Sequence, residues 1–494
     1  MHLGFAFLLL VLAFLIIQFI KLQRIRKQFP PGPTPLPFIG CLWQPKFFRL
    51  SRELLTEVAK SYGNIYTLWF GSLPMVILDG YQAVKDGLTT HPEDVVGRPI
   101  LHFFKVFANN KGILLATGKT WKNQRRFSLM TLKNLGLGKK GLEYRIQEEA
   151  QYLVEMVKET KGKPMSPSYS IALAIANVIC AVVFGHRFST EDKTFHELLE
   201  AMECIFTFAG SLLHYIYDIF PWLLSRLPGR HKRVLQARDF VYAFIRKEIQ
   251  KHLDADVPED PEDFIDFYLA QIEKTKHLPK APYDEINMVH SIFDLFLGGT
   301  ETSSTTLTWA LLYMVRYPDI QAKVQQEIDA VIAPGQTIYY DDRKLLPYTN
   351  AVIHEIQRFS NIVAVGLPRY CMKDTMIRQF LMKKGTTLFP NMASALYDPK
   401  EWEMPLSFHP DHFLDKDGNF TCREAFIPFS LGHRMCLGEH LARTELFLFF
   451  SNLLRAFKFH LAEGSKDVTL EPVCGGTLQP HYFEICAIPR QTAL

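Results

Sequence analysis

The most apolar stretch of the chain lies at its N-terminus. Residues 3–20 read LGFAFLLLVLAFLIIQFI and carry no charge, and as a helix they would span about 27 Å, close to the hydrocarbon thickness of a bilayer. A cleaved signal peptide is the alternative, but it needs a basic segment before the apolar run, and only His2 stands there. We therefore predict a transmembrane signal anchor over residues 1–20. The basic residues that follow, KLQRIRK, place the rest of the chain in the cytosol.

A proline-rich segment separates the anchor from the rest of the chain. Residues 30–37 read PPGPTPLP, and prolines neither continue a helix nor donate to a sheet. We predict a stiff basic and proline-rich hinge over residues 21–37. Beyond it the sequence shows no comparable linker, so residues 38–494 are expected to form one large domain.

Helical periodicity dominates that domain. Apolar residues recur at three- and four-residue spacing in several long segments, and alternating or continuous apolar runs of strand length are few. The pattern predicts a fold that is mainly α with a minor β component. Predicted helices are 49–62, 142–158, 171–184, 239–253, 290–316 and 319–332, and predicted strands are 65–70, 75–78 and 482–488.

Composition and charge narrow the class of protein. Hydrophobic residues make up 48% of the chain and charged residues 21%, with a net charge of +4. These values exclude a disordered chain and a polytopic membrane protein, and they argue against a dedicated nucleic-acid binder. The eight cysteines form no CxxC pair, which is atypical of a zinc ribbon or a disulfide scaffold.

One cysteine stands in a distinctive motif. FSLGHRMCLG carries Phe429, Gly432, Arg434, Cys436 and Gly438 in the order F-x-x-G-x-R-x-C-x-G, and an amphipathic helix follows. A sulfur near a helix N-terminus is favoured as a thiolate, which ligates iron, and glycines let the backbone approach a flat cofactor. A lone cysteine at such a junction is more often simply buried. The five fixed positions together make the ligand interpretation the stronger one.

These residues resemble the haem-binding loop of the cytochrome P-450 superfamily. The resemblance implies the P-450 fold and haem b, with Cys436 as the axial haem iron ligand. Phe429, Arg434 and Gly438 are then cofactor contacts. The chain as a whole is most similar to the vertebrate microsomal family 2 and, within it, to the fatty-acid-epoxygenating J-like subfamily.

A glycine pair and an acid–alcohol pair lie inside the predicted helix 290–316. Gly298-Gly299-Thr300-Glu301-Thr302-Ser303 is similar to the family motif A/G-G-x-D/E-T-T/S. Each glycine inside a helix costs about 1 kcal/mol, so the pair needs a reason. The resemblance implies that small residues leave room for O2 and that Glu301 and Thr302 are catalytic, relaying protons. The alternative is that the hydroxyls only bond to their own helix.

A second motif is assigned to the scaffold. HEIQR places Glu355 and Arg358 three residues apart on one helix face. Such a pair is common by chance, but ahead of FHPDHF and the cysteine loop it resembles the ion-pair cluster of the family. His412 would be its third member, where the superfamily often has arginine.

A third set resembles the residues of the family that bind the haem propionates. Trp121 and Arg125 form a W-x-x-x-R pair on one helix face, and Arg98 and Arg369 match further contacts by position. The alternative for the W-x-x-x-R helix is an exposed basic patch that meets an acidic redox partner, and both interpretations are compatible.

The substrate pocket implied by the family layout is apolar and rich in aromatic rings. Such a pocket favours lipophilic ligands, although any of these residues is also an ordinary core candidate. The predicted lining residues are Phe103, Phe107, Phe206, Phe296, Gly298, Ile362, Val363, Val365 and Leu478.

Together the resemblance implies a haem-thiolate monooxygenase of the endoplasmic reticulum membrane with a cytosolic catalytic domain. Electrons would come from NADPH through NADPH-cytochrome P-450 reductase, with cytochrome b5 as a further partner, and the substrates would be fatty acids such as arachidonate, steroids or xenobiotics. Membrane lipid is a predicted partner and nucleic acid is not. A haem-thiolate isomerase or dehydratase acting on peroxides, and a haem sensor or carrier, are the alternatives. The retained Glu301–Thr302 pair argues against the isomerase or dehydratase, and a sensor or carrier would need neither a proton relay nor a reductase surface.

Overall fold

Helices make up most of the architecture, and small sheets lie at its edge. A computed structural model describes residues 2–48, 51–99, 101–136, 140–255, 260–279, 281–464 and 468–490. The α-helices are α1 (His2–Arg26), α2 (Arg52–Tyr62), α3 (Tyr81–Thr89), α4 (His102–Ala108), α5 (Gly118–Asn134), α6 (Lys140–Glu159), α7 (Pro167–Val183), α8 (Lys193–Ala209), α9 (Leu212–Ile219), α10 (Pro221–Leu224), α11 (Arg230–Asp254), α12 (Phe264–Thr275), α13 (Glu285–Arg316), α14 (Pro318–Val331), α15 (Pro347–Ser360), α16 (Met392–Leu396) and α17 (Glu439–Ala456).

The strands form one four-stranded sheet and three two-stranded sheets among the described residues. The larger sheet has the order β1-β2-β6-β3, in which β2 and β6 run parallel and the other neighbours antiparallel. The smaller sheets pair β10 with β7, β4 with β5 and β8 with β9. The strands are β1 (Ile65–Phe70), β2 (Leu73–Leu78), β3 (Arg369–Tyr370), β4 (Thr375–Ile377), β5 (Phe380–Met382), β6 (Thr387–Pro390), β7 (Phe457–Leu461), β8 (Val473–Cys474), β9 (Leu478–Gln479) and β10 (Ile485–Pro489).

The prediction of a mainly helical fold with minor sheet is confirmed. Each of the six predicted helices corresponds to an observed one, although residues 49 and 50 of the first range lie outside the described part of the chain. The largest differences are at helix starts. For example, α13 begins at Glu285, five residues before its apolar periodicity, because Asp284 accepts a hydrogen bond from Asn287 N and caps the helix.

The helix α13 runs through the centre of the largest hydrophobic core. It packs along α7 and also contacts α11, α15 and α17. Trp309, Tyr313 and Phe293 of α13 are each at most 2% exposed. A long helix buried on most sides is a rigid support, and this one carries the predicted acid–alcohol pair across the middle of the molecule.

The N-terminal helix α1 is long and apolar enough to cross a membrane from Gly4 to Arg26. The helix therefore continues past the predicted boundary at residue 20 and includes most of the basic cluster. Its apolar side chains are mostly exposed to the surroundings, as expected of a lipid-facing helix. Leu22 is an exception, because it packs on the core of the larger sheet.

The proline-rich segment is bound to the folded body. Thr67 of β1 donates its N–H to the Pro31 carbonyl at 2.8 Å and its hydroxyl to the Pro30 carbonyl at 2.9 Å. A Cβ at Gly32 would lie 2.0 Å from the Thr67 carbonyl oxygen, so only glycine allows this approach. Arg26 Nη2 also donates to the Gly32 carbonyl at 2.6 Å. The predicted spacer is thus seated along the edge of β1.

Candidate active site

The two adjacent glycines of α13 serve different purposes. A Cβ at Gly299 would lie 2.5 Å from Ile179 Cδ1, so this glycine lets α7 pack closely against α13. Gly298 has nothing within 4 Å of the same position and is exposed. The sequence interpretation assigned both glycines to one open face. In the structure only Gly298 borders open space, whereas Gly299 lies in the contact between α13 and α7.

Most hydroxyl groups that follow the glycines bond to their own helix. Thr302 Oγ1 donates to the Gly298 carbonyl at 2.6 Å, and Thr306 Oγ1 donates to the Thr302 carbonyl at 2.8 Å. Ser303 differs, because its hydroxyl donates to Glu445 Oε2 on α17 at 2.6 Å. The alternative interpretation, in which the hydroxyls bond to their own helix, thus describes Thr302 in this conformation. The Thr302 hydroxyl lies beside the open space at Gly298.

The carboxyl group of Glu301 is held by a distant part of the chain. Gln479 Nε2 donates to Glu301 Oε1 at 2.5 Å, and Thr477 Oγ1 donates to the same oxygen at 3.2 Å. Burial raises the pKa of the Glu301 carboxyl above its usual range, while these hydrogen bonds lower it. Glu301 is therefore neither solvated freely nor bonded directly to Thr302.

Four buried or partly buried arginines converge beside the cysteine loop. Arg434 donates to the carbonyls of Val96 and Ile113, at 2.8 and 3.0 Å, and its guanidinium lies 4.1 Å from the Trp121 ring centroid. Burial, together with Arg98, Arg369 and Arg125, lowers the pKa of Arg434 to about 7. Burial and the charge of Arg125 likewise lower the pKa of Arg98 to about 10.

Several donors in this arginine cluster have no acceptor among the described residues. They are Nε and Nη1 of Arg369 and Nε1 of Trp121, all buried. The third nitrogen of Arg369, Nη2, donates to Ser430 Oγ at 3.1 Å. Buried unpaired donors and mutually repelling cations are costly, and an anion with carboxylate oxygens would relieve both. The sequence prediction placed these residues together, and the structure brings them together.

The cysteine loop is tightly turned before α17. Cys436 N donates to the Phe429 carbonyl at 2.9 Å, and Arg125 Nη2 donates to the Met435 carbonyl at 2.8 Å. A Cβ at Gly432, where φ is +73°, would lie 2.3 Å from the Leu88 carbonyl oxygen. Gly438 adopts an ordinary φ of −92° and precedes the first turn of α17. The loop thus presents Cys436 from a backbone with little freedom to move.

Opposing effects act on the pKa of the Cys436 thiol. Its side chain reaches solvent, yet protein atoms surround it densely enough that desolvation raises the pKa of the Cys436 thiol. The N–H of Gly438 and the charge of Arg125 lower the pKa in the other direction. Desolvation is the larger effect, so the pKa of the free Cys436 thiol lies above its usual value. A thiol that coordinates a metal is deprotonated by the metal itself.

The three residues assigned to the scaffold form one buried cluster. Arg358 binds Glu355 through two hydrogen bonds of 2.7 Å and also donates to the carbonyls of Leu396, Pro405 and Ser407. His412 Nδ1 lies 3.2 Å from Glu355 Oε2. Glu355 and Arg358 have no exposed side-chain area. This cluster ties α15 to the segment that leads into the cysteine loop.

The predicted pocket residues divide into groups. Phe103 and Phe107 of α4 lie in an aromatic cluster with Phe208, whose ring centroid is 5.2 Å from that of Phe103. Phe206 of α8 accepts a hydrogen bond from Gly476 N in the β8–β9 turn, and Leu478, the first residue of β9, donates its N–H to the Ile362 carbonyl, each at 2.8 Å. The remaining lining predictions differ in burial: Phe296 is 1% exposed, Gly298 is exposed, and Val363 and Val365 are half-buried, with Val365 packed beside the larger sheet.

Sequence reasoning missed four side chains near these groups. Thr477 and Gln479 bond Glu301, and Glu445 bonds Ser303. Asp218 of α9 accepts a hydrogen bond of 2.8 Å from Phe103 N and so caps α4. None of the four stands in a motif, and each acts on a residue far away in the chain.

Comparison with known proteins decides the family. The family model of cytochrome P450 matches residues 30–487. The chain belongs to the cytochrome P450 family. Cytochrome P450 2J3 of Rattus norvegicus is 42% identical over 492 residues, which are 99% of this chain and 97% of the relative. Cytochrome P450 2J2 of Homo sapiens is 41% identical over 98% of this chain and 96% of its own length, and cytochrome P450 2C23 of Rattus norvegicus is 40% identical over 99% of both.

This P450 is therefore a haem monooxygenase, and the predicted superfamily and family 2 are confirmed. The J-like assignment agrees with the relatives named 2J, beside which relatives named 2C stand at similar identity. Haem b carries two propionate carboxylates, and the unpaired donors of Arg369 and Trp121 fit such a group. A P450 binds haem iron through a cysteine thiolate, and Cys436 is the residue predicted for this role.

Proposed function

We propose that this P450 inserts one oxygen atom from O2 into lipophilic substrates, by hydroxylation or epoxidation. Candidate substrates are fatty acids such as arachidonate, steroids and xenobiotics, with electrons supplied by NADPH through NADPH-cytochrome P-450 reductase. When bound, the haem supplies the iron at which O2 is reduced. The observation that carries the proposal is the Thr302 hydroxyl beside the open position at Gly298, with Glu301 as the adjacent acid.

In this proposal the protein has three tasks at the site. Cys436 holds the iron, and the arginine cluster with Trp121 binds the propionates. Thr302 donates and accepts a proton through Oγ1, and Glu301 exchanges protons with water. A Cβ at Gly438 would meet nothing within 4 Å, which leaves space for the flat face of the cofactor next to Cys436, and Phe429 is a further cofactor contact.

An apolar ligand class is supported by the aromatic cluster around α4. Phe103, Phe107 and Phe208 lie in contact, and Phe293 of α13 approaches Phe107 with ring centroids 5.6 Å apart. Clustered aromatic rings of this kind favour lipophilic substrates and supply few polar anchors.

The proposed location is the endoplasmic reticulum membrane, with the body on the cytosolic side. The apolar helix α1 supports anchoring, and Trp222, Leu223 and Leu227 form an exposed apolar segment suited to a lipid surface. Asn419 stands in an exposed Asn-Phe-Thr glycosylation sequon. If the body is cytosolic, Asn419 stays unmodified in microsomes, whereas glycosylation there would contradict the orientation. Cytochrome b5 is a proposed second electron donor.

A reconstituted assay tests the reaction. The full chain with reductase and NADPH is expected to convert arachidonate or an aromatic drug to a product carrying one atom of ¹⁸O from ¹⁸O2. The reduced, CO-bound spectrum is expected to show the thiolate signature in the wild type and to lose it in Cys436→Ser. The runner-up, an isomerase or dehydratase, would instead rearrange a fatty-acid hydroperoxide without reductase. Hydroperoxide turnover with no NADPH-dependent product would favour it.

A further inference from the structure

The turn between β8 and β9 is bound to α8 through main-chain contacts. Gly476 N donates to the Phe206 carbonyl at 2.8 Å. A Cβ at Gly210, just after α8, would lie 1.9 Å from the Gly475 carbonyl oxygen. Backbone packs directly on backbone here, so the turn has little room to shift against α8.

The same turn is also bound to α13. Trp309 Nε1 donates to the Leu478 carbonyl at 2.8 Å, and Leu478 N donates to the Ile362 carbonyl at 2.8 Å. These bonds use main-chain atoms of the turn and leave its polar side chains for other partners. The position of the turn is therefore set independently of the side chains of Thr477 and Gln479.

Those two side chains both reach Glu301. Gln479 Nε2 and Thr477 Oγ1 lie 2.5 and 3.2 Å from Glu301 Oε1, and Thr305 Oγ1, one turn along α13, lies 3.4 Å from the same atom. Among the described residues, all side-chain hydrogen bonds to this carboxyl group end on Oε1. One carboxyl oxygen is thus held and the other is left for a proton or water.

Thr302 does not share this arrangement. Its hydroxyl donates to the carbonyl of Gly298, one turn earlier in α13. Adjacent residues of a helix point about 100° apart, so the two side chains do not face each other. Transfer of a proton between them needs water and a defined position of the Glu301 carboxyl.

We propose that Thr477 and Gln479 are positioning residues for Glu301, and that the β8–β9 turn thereby sets how this acid exchanges protons during oxygen activation. The proposal rests on the proposed role of Glu301 and Thr302. Thr477 and Gln479 act through Glu301 and touch no reacting atom.

The groups around Glu301 determine in which direction the pKa of its carboxyl should change when a donor is removed. Burial raises the pKa of the Glu301 carboxyl, and the negative charge of Glu203 on α8 raises it further. The hydrogen bonds from Gln479, Thr477 and Thr305 favour the ionised form and lower the pKa. Loss of a donor from the turn therefore raises the pH at which Glu301 loses its proton.

The turn also links this acid to the ligand. Leu478 stands between the two donors, and a Cβ at Gly476 would lie 2.5 Å from the Phe206 ring. Leu478 and Phe206 are both predicted pocket residues. The donors that hold Glu301 therefore lie next to residues predicted to contact the substrate.

Matched variants of the haem-loaded full chain test the proposal. Thr477→Val removes the hydroxyl at nearly constant shape, Thr477→Ser keeps it, and Gln479→Met removes the amide. Val473→Ala changes an exposed residue of the same hairpin and is the control. The first readout is the pH midpoint of the Glu301 carbonyl band in infrared difference spectra, assigned by its loss in Glu301→Gln. The second is hydrogen peroxide released per NADPH consumed with reductase.

We expect Gln479→Met and Thr477→Val each to raise the midpoint, by about one pH unit for one charge-assisted hydrogen bond, and to increase peroxide release. Thr477→Ser and Val473→Ala should match the wild type. In a Glu301→Gln background the turn variants should have no further effect on peroxide release. An unchanged midpoint, equal behaviour of Thr477→Ser and Thr477→Val, or a persisting effect in that background would overturn the proposal.

The same experiment distinguishes a failure of the positioning role of Thr477 and Gln479 from a failure of the proposed role of Glu301. If Glu301→Gln itself leaves peroxide release unchanged, the proposed role of Glu301 is wrong. If Glu301→Gln uncouples the reaction and the turn variants do not, only the positioning role fails. The reduced, CO-bound spectrum of each variant verifies that the haem site is intact.

Discussion

The Ser303 hydroxyl donates a hydrogen bond of 2.6 Å to Glu445 Oε2, joining α13 to α17 beside the acid–alcohol pair. Both residues are buried, and the other carboxyl oxygen of Glu445 has no partner among the described residues. Burial raises the pKa of Glu445 to about 8, while the Ser303 hydrogen bond lowers it. Glu445 is thus protonated in the folded protein at neutral pH.

The stability of the protein should consequently fall as pH rises between about 5 and about 8. In this window the folded chain retains a proton on Glu445 that the unfolded chain has released, because the ordinary carboxyl pKa is 4.5. Relative to Glu445→Gln, the wild type should lose up to about 1.4 kcal/mol per pH unit. Unfolding midpoints of both proteins from pH 5 to 8 measure this. Parallel pH curves for the two proteins would contradict it.

Removing one arginine of the cluster should weaken haem binding without lowering the stability of the haem-free chain. Arg369→Met deletes two buried donors without acceptors in the chain, so haem should dissociate about tenfold faster or more. Haem transfer to an excess of apo-globin measures that rate. Unfolding of the haem-free chain should be unaffected or shifted upward, because a repelling charge is gone. A large loss of stability in the haem-free chain would contradict the propionate role.

The buried ion pair of the scaffold should matter far more than an exposed one. Glu355→Ala leaves the Arg358 guanidinium buried without its carboxylate, and we expect a loss of about 3–5 kcal/mol or failure to fold. Lys46→Ala breaks an exposed pair with Glu57 at 2.9 Å, and here the loss should be below about 1 kcal/mol. Chemical unfolding of both variants is the measurement. Similar losses would mean that burial does not govern these pairs.

The adjacent glycines of α13 should respond in opposite directions to alanine. Gly299→Ala brings a Cβ within 2.5 Å of Ile179, and overpacking of this kind costs about 1–3 kcal/mol. Gly298→Ala meets nothing within 4 Å and removes a poor helix former, which should stabilise the chain by up to about 1 kcal/mol. Thermal unfolding of the two variants compares them directly. Because Gly298 faces the proposed oxygen site, Gly298→Ala should also change peroxide release, whereas a change in Gly299→Ala alone would reverse the assignment.

Local patterns in the sequence were sufficient for the helices and for most of the candidate site. Apolar periodicity located α13, and spacing within short motifs located Cys436, Arg125 and the pair Glu355–Arg358. These features depend on residues a few positions apart, where helix and turn geometry dictate which side chains are neighbours.

Contacts between distant segments were beyond such reasoning. Gln479 and Glu301 are 178 positions apart, and no pattern in either segment indicates that the two side chains are in contact. The same holds for Ser303 and Glu445, which are 142 positions apart. The capping Asp284 is a different case, because an N-cap signal was present but lay before the apolar periodicity began.

Because the proline-rich segment is bonded to β1, the length of α1 has a consequence for the position of the folded body. The carbonyls of Pro30 and Pro31 accept hydrogen bonds from Thr67, so the folded body begins directly after α1. With α1 in the membrane as proposed, the body has little freedom to sink or rise. Each residue added to α1 below Arg26 would lift the body by about 1.5 Å. A few inserted residues would therefore carry the exposed segment at Trp222 away from the headgroups. If α1 spans the membrane as proposed, the length of this helix thus sets the height of the enzyme above the bilayer.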